Sequence, residues 1–483
     1  MSRKSAFLWI MSVFLVMVII VLVTYLLELG ATPEDSLLHV YVTPRASSAG
    51  KPILQKLELI TDQAYGTGNQ YVPNSWGAQK DRIIRNSKGD LFMTYISAGT
   101  GLNNRAWHLM HLSPGGTWKE IDRGDAGNEP INIVLGKDDS IHLFTWPGAQ
   151  GKLQHIFSTD DGQTFQQEWI AGRWIQTQTQ IQGYSSVGVN ENGDMVLLQT
   201  GAVKPGIFNW VYYSSRLKTW TFHRNTLDFR YTYAFLFPGY SNDLSIVATR
   251  AVTRGLLGLP QEQTGNQLIF NEVKYFHVND VRQKQPVLDQ TTIKEVQPKD
   301  PGDTSDRDLI YVTDSYVDTS NRLHILYLNE YDGPHQAIIE NGKLLKDVPM
   351  RGVTFGQKMR ITQDIQGHFY IVTMGDQGNT LNIYPGATND TDGTKLGPVT
   401  QLDISPFPGC TDYDFCHSPT FTVPRSGNDL SDTIDGVYGN FNKEVYFQIN
   451  LRGSTQSAQS HVHVPFVPLS SYLEEKRRPL LLL

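Results

Sequence analysis

Residues Ser185 to Ala202 read SSVGVNENGDMVLLQTGA: a short β-rich run, an Asn-Glu-Asn-Gly turn, and a second β-rich run. Flanking runs that fit strands, joined by Asn and Gly, are the signature of a β-hairpin. The same design returns along the chain. It is found in RIIRNSKGDLFMTYISAG from Arg82, INIVLGKDDSIHLFTWPG from Ile131, LIYVTDSYVDTSNRLHILYLN from Leu309 and MRITQDIQGHFYIVTMGD from Met359. Weaker copies are YTYAFLFPGYSNDLSIVATRA from Tyr231 and SPTFTVPRSGNDLSDTIDGVYGNF from Ser418. Their spacing of roughly 50 residues suits four-stranded propeller blades. Seven modules predict an all-β propeller, with six blades and a capping hairpin as the nearest alternative. ILQKLELITD, Ile53 to Asp62, precedes the first module and can supply the strand that closes the ring.

Inside the second module lies STDDGQTF, Ser158 to Phe165. The oxygens of Ser158 and Asp160 can turn back onto nearby amides, Gly162 admits a positive φ, and Thr164 and Phe165 anchor the far side. HLSPGGTW (His111 to Trp118) and YSSRLKTW (Tyr213 to Trp220) stand at the equivalent point of the modules on either side, with fewer of the defining residues. The pattern Ser-x-Asp-x-Gly-x-Thr-Phe resembles the Asp-box, or BNR repeat, of the sialidase-like β-propellers. The resemblance implies a structural role for Ser158, Asp160, Gly162, Thr164 and Phe165 in a turn away from the active face.

A propeller gathers the residues that begin its innermost strands around one end of a central channel. Here those residues are Arg82, Asn128 and Glu129, Gln182 and Tyr184, Arg230 and Tyr231, Arg307 between two aspartates, Lys358 and His417. Cations, carboxylates and aromatics in one ring suit a hydroxylated, acidic sugar. The sialidase resemblance extends to Asp81-Arg82-Ile83-Ile84, which looks like the family's Phe/Tyr-Arg-Ile-Pro element and implies a carboxylate-binding role for Arg82. A guanidinium pairs both oxygens of a carboxylate. Arg230 and Arg307 are further substrate-binding candidates by position. The family's acid/base Asp has no counterpart in SAGTGLNNRAW, where Asn103 and Asn104 stand, and an amide cannot shuttle a proton. Tyr231 or Tyr233 with Glu129 fits the family's Tyr nucleophile and its activating Glu. A polysaccharide lyase is the alternative enzyme, with His417, Arg82 and Tyr184 as base, cation and acid. A non-catalytic propeller that binds glycan or protein is the third reading. His142 and His324 fall within second strands and are expected to serve blade packing.

The remaining features set the chain's surroundings. Ala6 to Leu27 carries no charge and spans roughly 33 Å as a helix, enough to cross a bilayer. Arg3 and Lys4 before it, with Glu28, Glu34 and Asp35 after it, predict a cytoplasmic N-terminus and an extracellular remainder on a single-pass cell-membrane anchor. The expected organisation is residues 1–29 stub and anchor, 30–52 stalk, 53–466 propeller and 467–483 tail. A net charge of -7 with no basic run outside the ends argues against nucleic acid as a partner. Cys410 and Cys416 are the two cysteines; in an oxidising space they are expected to close a small disulfide loop, and in a reducing one to stay free. No cofactor or metal motif is present in the sequence.

Overall fold

The computed structural model describes residues 51–64, 77–98, 105–127, 130–146, 152–174, 184–201, 204–261, 268–305, 307–353, 359–375, 377–409, 419–440 and 442–453. These form seven four-stranded antiparallel sheets, so the seven-blade expectation holds over the six-blade one. Blades 1 to 6 occupy residues 83–126, 132–170, 185–227, 231–295, 310–349 and 360–403. Blade 7 takes three strands from residues 420–450, and its outermost strand is Ile53–Thr61 from the other end of the chain, paired to Lys443–Asn450. This is the closure expected of Ile53 to Asp62. The anchor, the stalk up to residue 50, the tail and both cysteines lie outside the described residues.

The hairpin turns fold locally for a reason visible in their side chains. Asn86 Oδ1 accepts from the amides of Lys88 and Asp90 at 3.1 and 2.8 Å, and Asn190 Oδ1 from those of Asn192 and Asp194 at 3.0 and 2.9 Å. Asp318 and Asp364 do the same for the amides two and four residues on. Each side chain stands in for a backbone acceptor and fixes the hairpin register.

STDDGQTF closes the turn between the third and fourth strands of blade 2. Ser158 Oγ donates to Asp160 Oδ1 at 2.8 Å and accepts from the Gly162 amide at 2.9 Å. Asp160 then accepts from the Thr164 amide at 2.9 Å and its hydroxyl at 2.6 Å. Gly162 has φ +77°, and a Cβ there would stand 3.0 Å from Phe92 of blade 1. With Phe165 against the same core and an ion pair from Lys88 to Asp161, the turn pins blade 2 to blade 1.

Between successive blades lies a separate apolar cluster, seven in all among the described residues, the last joining Val437 and Tyr446 of blade 7 to Ile83 and Met93 of blade 1. The channel is polar and filled. After the innermost strand of blade 7 the chain makes a short 3-10 turn, Pro424–Ser426, which sends Arg425 into the axis. Arg425 Nε and Nη2 hold Asp81 of blade 1 at 3.1 and 2.8 Å, and Nη1 reaches Asp314 Oδ1 of blade 5 at 3.0 Å. Its guanidinium lies 5.1 Å from the Phe235 ring of blade 4. Asp314 also pairs with Arg360 of blade 6 at 3.2 Å. Gly427 lets this turn approach: at φ +88° a Cβ would meet the Leu135 carbonyl oxygen at 2.0 Å.

Two outcomes follow from this architecture. Arg425→Met leaves Asp81 buried without its cation and is expected to lower unfolding stability by about 3–5 kcal/mol, with Asp81→Asn added to it recovering part of the loss in denaturant titrations. Hydrogen bonds from Thr164 and Ser158 hold the Asp160 pKa down to about 2 from 3.8. The turn's contribution is therefore complete above the unfolded value and is lost as pH falls through about 2, which hydrogen exchange at the Thr164 amide reads as falling protection.

Candidate functional site

Alternation of strand direction puts the start of every innermost strand, and every connection from one blade to the next, on one face of the ring, here the upper face. The turn carrying Asp160 is on the opposite face, away from the innermost-strand starts.

The arginines and tyrosines expected at this ring divide into two groups. Arg82 is 2% exposed and donates through Nη1 to Glu444 Oε1 of blade 7 at 2.5 Å, a buried pair that joins the first and last blades. Tyr231 turns into the core between blades 3 and 4. Its hydroxyl donates to Glu272 Oε2 at 2.8 Å, and Glu272 also pairs with Arg250 at 2.8 Å and Lys274 at 3.1 Å. Burial and the Glu272 charge push the Tyr231 phenol far above its ordinary value, which opposes formation of a phenolate nucleophile. Glu129 and His417 lie outside the described residues.

The second group converges. Arg230 and Tyr184 end the connections into blades 4 and 3, and the Arg230 guanidinium lies 5.4 Å from the Tyr184 ring. Tyr184 meets Tyr233 edge to face at 5.0 Å, and Tyr233 lies 5.9 Å from Phe270. The Phe270 amide donates to the Arg307 carbonyl oxygen at 2.7 Å, which carries the line onto blade 5. There a recess of about 340 Å³ is lined by Arg307, Asp308, Tyr311, Asn329 and Glu330 among others. Arg230, Tyr184 and Arg307 thus stand along one sector of the upper face, spanning blades 3 to 5.

Two properties separate this sector from ordinary blade surface. Tyr184 and Tyr233 have φ of +46° and +53°, the left-handed region that a β-carbon disfavours. Tyr233 sits where the pairing of the innermost strand of blade 4 slips between Thr232 and Phe235, a bulge that turns its ring to the upper face. Positive φ at two adjacent aromatics persists only where the surrounding structure holds it, and strain of this kind recurs at ligand-binding positions of proteins.

Arg230 supplies the second property. It is 6% exposed, and its Nε and Nη2 make no hydrogen bond among the described residues. Several other buried arginines have charged or carbonyl partners: Arg82 has Glu444, Arg250 has Glu272 and Glu295, Arg254 the Pro260 and Pro301 carbonyls, Arg425 two aspartates, and Arg360, whose Nε and Nη2 also make no hydrogen bond, still lies 3.2 Å from Asp314. Nε and Nη2 are the edge with which Arg425 grips both oxygens of Asp81. Arg230 offers that same edge uncommitted, and a desolvated cation in this state favours an incoming carboxylate. Position along the chain singled out Arg230 and Tyr184; the stacking role of Tyr233 and the place of Phe270 had no signal, because the bulge that creates them is not written in a motif.

No family model matches the sequence, and no curated protein matches it. Among solved structures the chain is similar to the polysaccharide lyase Uly1, at 12% identity and a TM-score of 0.46, over 83% of this chain and 99% of that one. It is also similar to a PL25 ulvan lyase bound to -[GlcA(1-4)Rha3S]-, at 10% identity and 0.48, over 80% and 94%. A third is the GH93 α-L-arabinofuranosidase of Fusarium graminearum in complex with arabinobiose, at 12% and 0.41, over 80% and 96%. At these identities the likeness is one of fold and assigns no residue.

Tyr184→Gly and Tyr233→Gly each release about 1–2 kcal/mol of left-handed strain. Their thermal midpoints are expected to match or exceed that of the parent, whereas Tyr→Gly at an ordinary half-buried strand position lowers it.

Proposed function

We propose that the chain is a membrane-anchored propeller whose upper face, outside the cell, recognises an acidic glycan along the sector of blades 3 to 5. Arg230 clamps a sugar carboxylate through Nε and Nη2, Tyr184 and Tyr233 supply stacking walls, and Arg307 extends the contact. The observation that carries this reading is the buried Arg230 guanidinium with its carboxylate-binding edge uncommitted. The Asp-box turn and the sialidase-like resemblance fit the same reading, and so does the uncharged Ala6 to Leu27 segment as its tether.

A catalytic version draws on the recess, where Arg307 shares a small volume with Tyr311 and the carboxylates of Asp308 and Glu330. Cation, phenol and carboxylate are the groups that β-elimination or glycoside hydrolysis of a uronate chain requires. Asn103 and Asn104, in the stretch where the family's acid is expected, favour recognition or a lyase over the sialidase reaction.

Titration of the protein with uronate oligosaccharides and their neutral, carboxyl-reduced counterparts tests both versions. The acidic ligand is expected to bind with an affinity that Arg230→Ala lowers about 10- to 100-fold, the loss of a charge-assisted bidentate contact. Arg230→Lys keeps the charge and is expected to restore only part of it, and the neutral ligand should not distinguish the variants. Equal binding of both ligands by the parent would remove the carboxylate clamp. An ultraviolet absorbance rise during incubation, lost in Arg307→Ala, would establish elimination.

A further inference from the structure

A row of polar side chains crosses blade 2 away from the Arg230 sector. Asp138 Oδ1 accepts the Ser140 hydroxyl at 2.5 Å, and Ser140 Oγ lies 2.7 Å from His142 Nε2. His142 Nδ1 lies 2.8 Å from His155 Nε2, and His155 Nδ1 lies 2.9 Å from Glu168 Oε1. The same Glu168 oxygen accepts the Trp220 indole N–H of blade 3 at 2.8 Å. Both imidazoles are buried and stack with Phe157, and His155 also stacks with Phe144, while the carboxylates at the two ends reach solvent.

Each of the four contacts from Asp138 to Glu168 needs one hydrogen between its two heavy atoms. With both rings neutral, Ser140 brings one hydrogen and each imidazole one, and the ionised carboxylates bring none. Three hydrogens leave one contact with lone pair against lone pair. One added proton completes the row: Ser140 donates to Asp138, His142 Nε2 to Ser140, His155 Nδ1 to Glu168, and the remaining hydrogen lies between His142 Nδ1 and His155 Nε2.

We propose that His142 and His155 take up one proton as a unit and share it between their facing nitrogens, with Asp138 and Glu168 as flanking counter-charges. The unit ties the first turn of blade 2 to its outermost strand and, through Trp220, to blade 3. Burial opposes the charge and lowers the pKa of both rings, that of His142 to about 3, with Lys218 adding to the effect on His142 and the two carboxylates acting against it. Tyr213, whose phenol is pushed up by burial and then by the Glu168 and Asp138 charges, is a further titratable neighbour of the row. Uptake therefore falls below the ordinary histidine range, and two separately charged rings are excluded by their contact.

Selective ¹⁵N-histidine NMR of the full chain in detergent, from about pH 8 to about pH 2, tests this. The expected result is a single common midpoint for His142 Nδ1 and His155 Nε2, below the ordinary histidine range, with the Trp220 indole N–H shifting at that same midpoint. His142→Phe keeps the stack and is expected to abolish the common midpoint, leaving His155 to titrate alone at higher pH beside Glu168. Separate midpoints for the two rings in the parent, rings that stay neutral throughout, or an unchanged His155 midpoint in His142→Phe would each overturn the proposal.

Discussion

The Arg425 guanidinium is the constraint on which the arrangement depends. A propeller of seven blades leaves a channel that must be filled by water, ligand or side chains, and here one arginine from a 3-10 turn joins Asp81 of blade 1 to Asp314 of blade 5, over Phe235 of blade 4. Buried ions of this kind contribute little net stability, because desolvation offsets their attraction. Their effect is on specificity: the four charges pair only when blades 1, 5, 6 and 7 keep these places. A second link, Arg82 to Glu444, fixes the junction where the chain closes on itself.

Filling the axis moves recognition outward. Arg425, Arg360, Asp81 and Asp314 pair with one another at the centre, whereas Arg230, set off the axis at the entrance to blade 4, has no ion-pair partner among the described residues. The strained tyrosines beside it follow from the same geometry. Tyr184 precedes the innermost strand of blade 3 and Tyr233 occupies a bulge in that of blade 4, so neighbouring blades bring the two rings edge to face. Stability is given up locally on a scaffold whose seven interblade cores hold the surrounding strands in place.

Much of the fold was legible because its signals are local. An Asn or Asp that caps its own turn, as Asn190 and Asp364 do, is readable within five residues, and seven such modules announce a propeller. STDDGQTF was legible for the same reason. The site was legible only as a ring of positions. Arg82, Arg230 and Arg307 share the same place in their modules, and what distinguishes the first two is whether a distant carboxylate arrives: Glu444 lies 362 residues from Arg82 and reaches it, while none among the described residues reaches Arg230. Tyr231 carried the same ambiguity, resolved by Glu272 on a third strand of its own blade. The row through His142 needed three strands in register before its hydrogens could be counted.

The reading of the upper face turns on whether Arg230 binds a carboxylate. A crystal structure of the protein with a bound uronate oligosaccharide tests it most directly. The expected result is one carboxylate gripped by Arg230 Nε and Nη2, with a sugar ring against Tyr184 or Tyr233. A ligand seated elsewhere on the ring, with the Arg230 edge still unfilled, would contradict it.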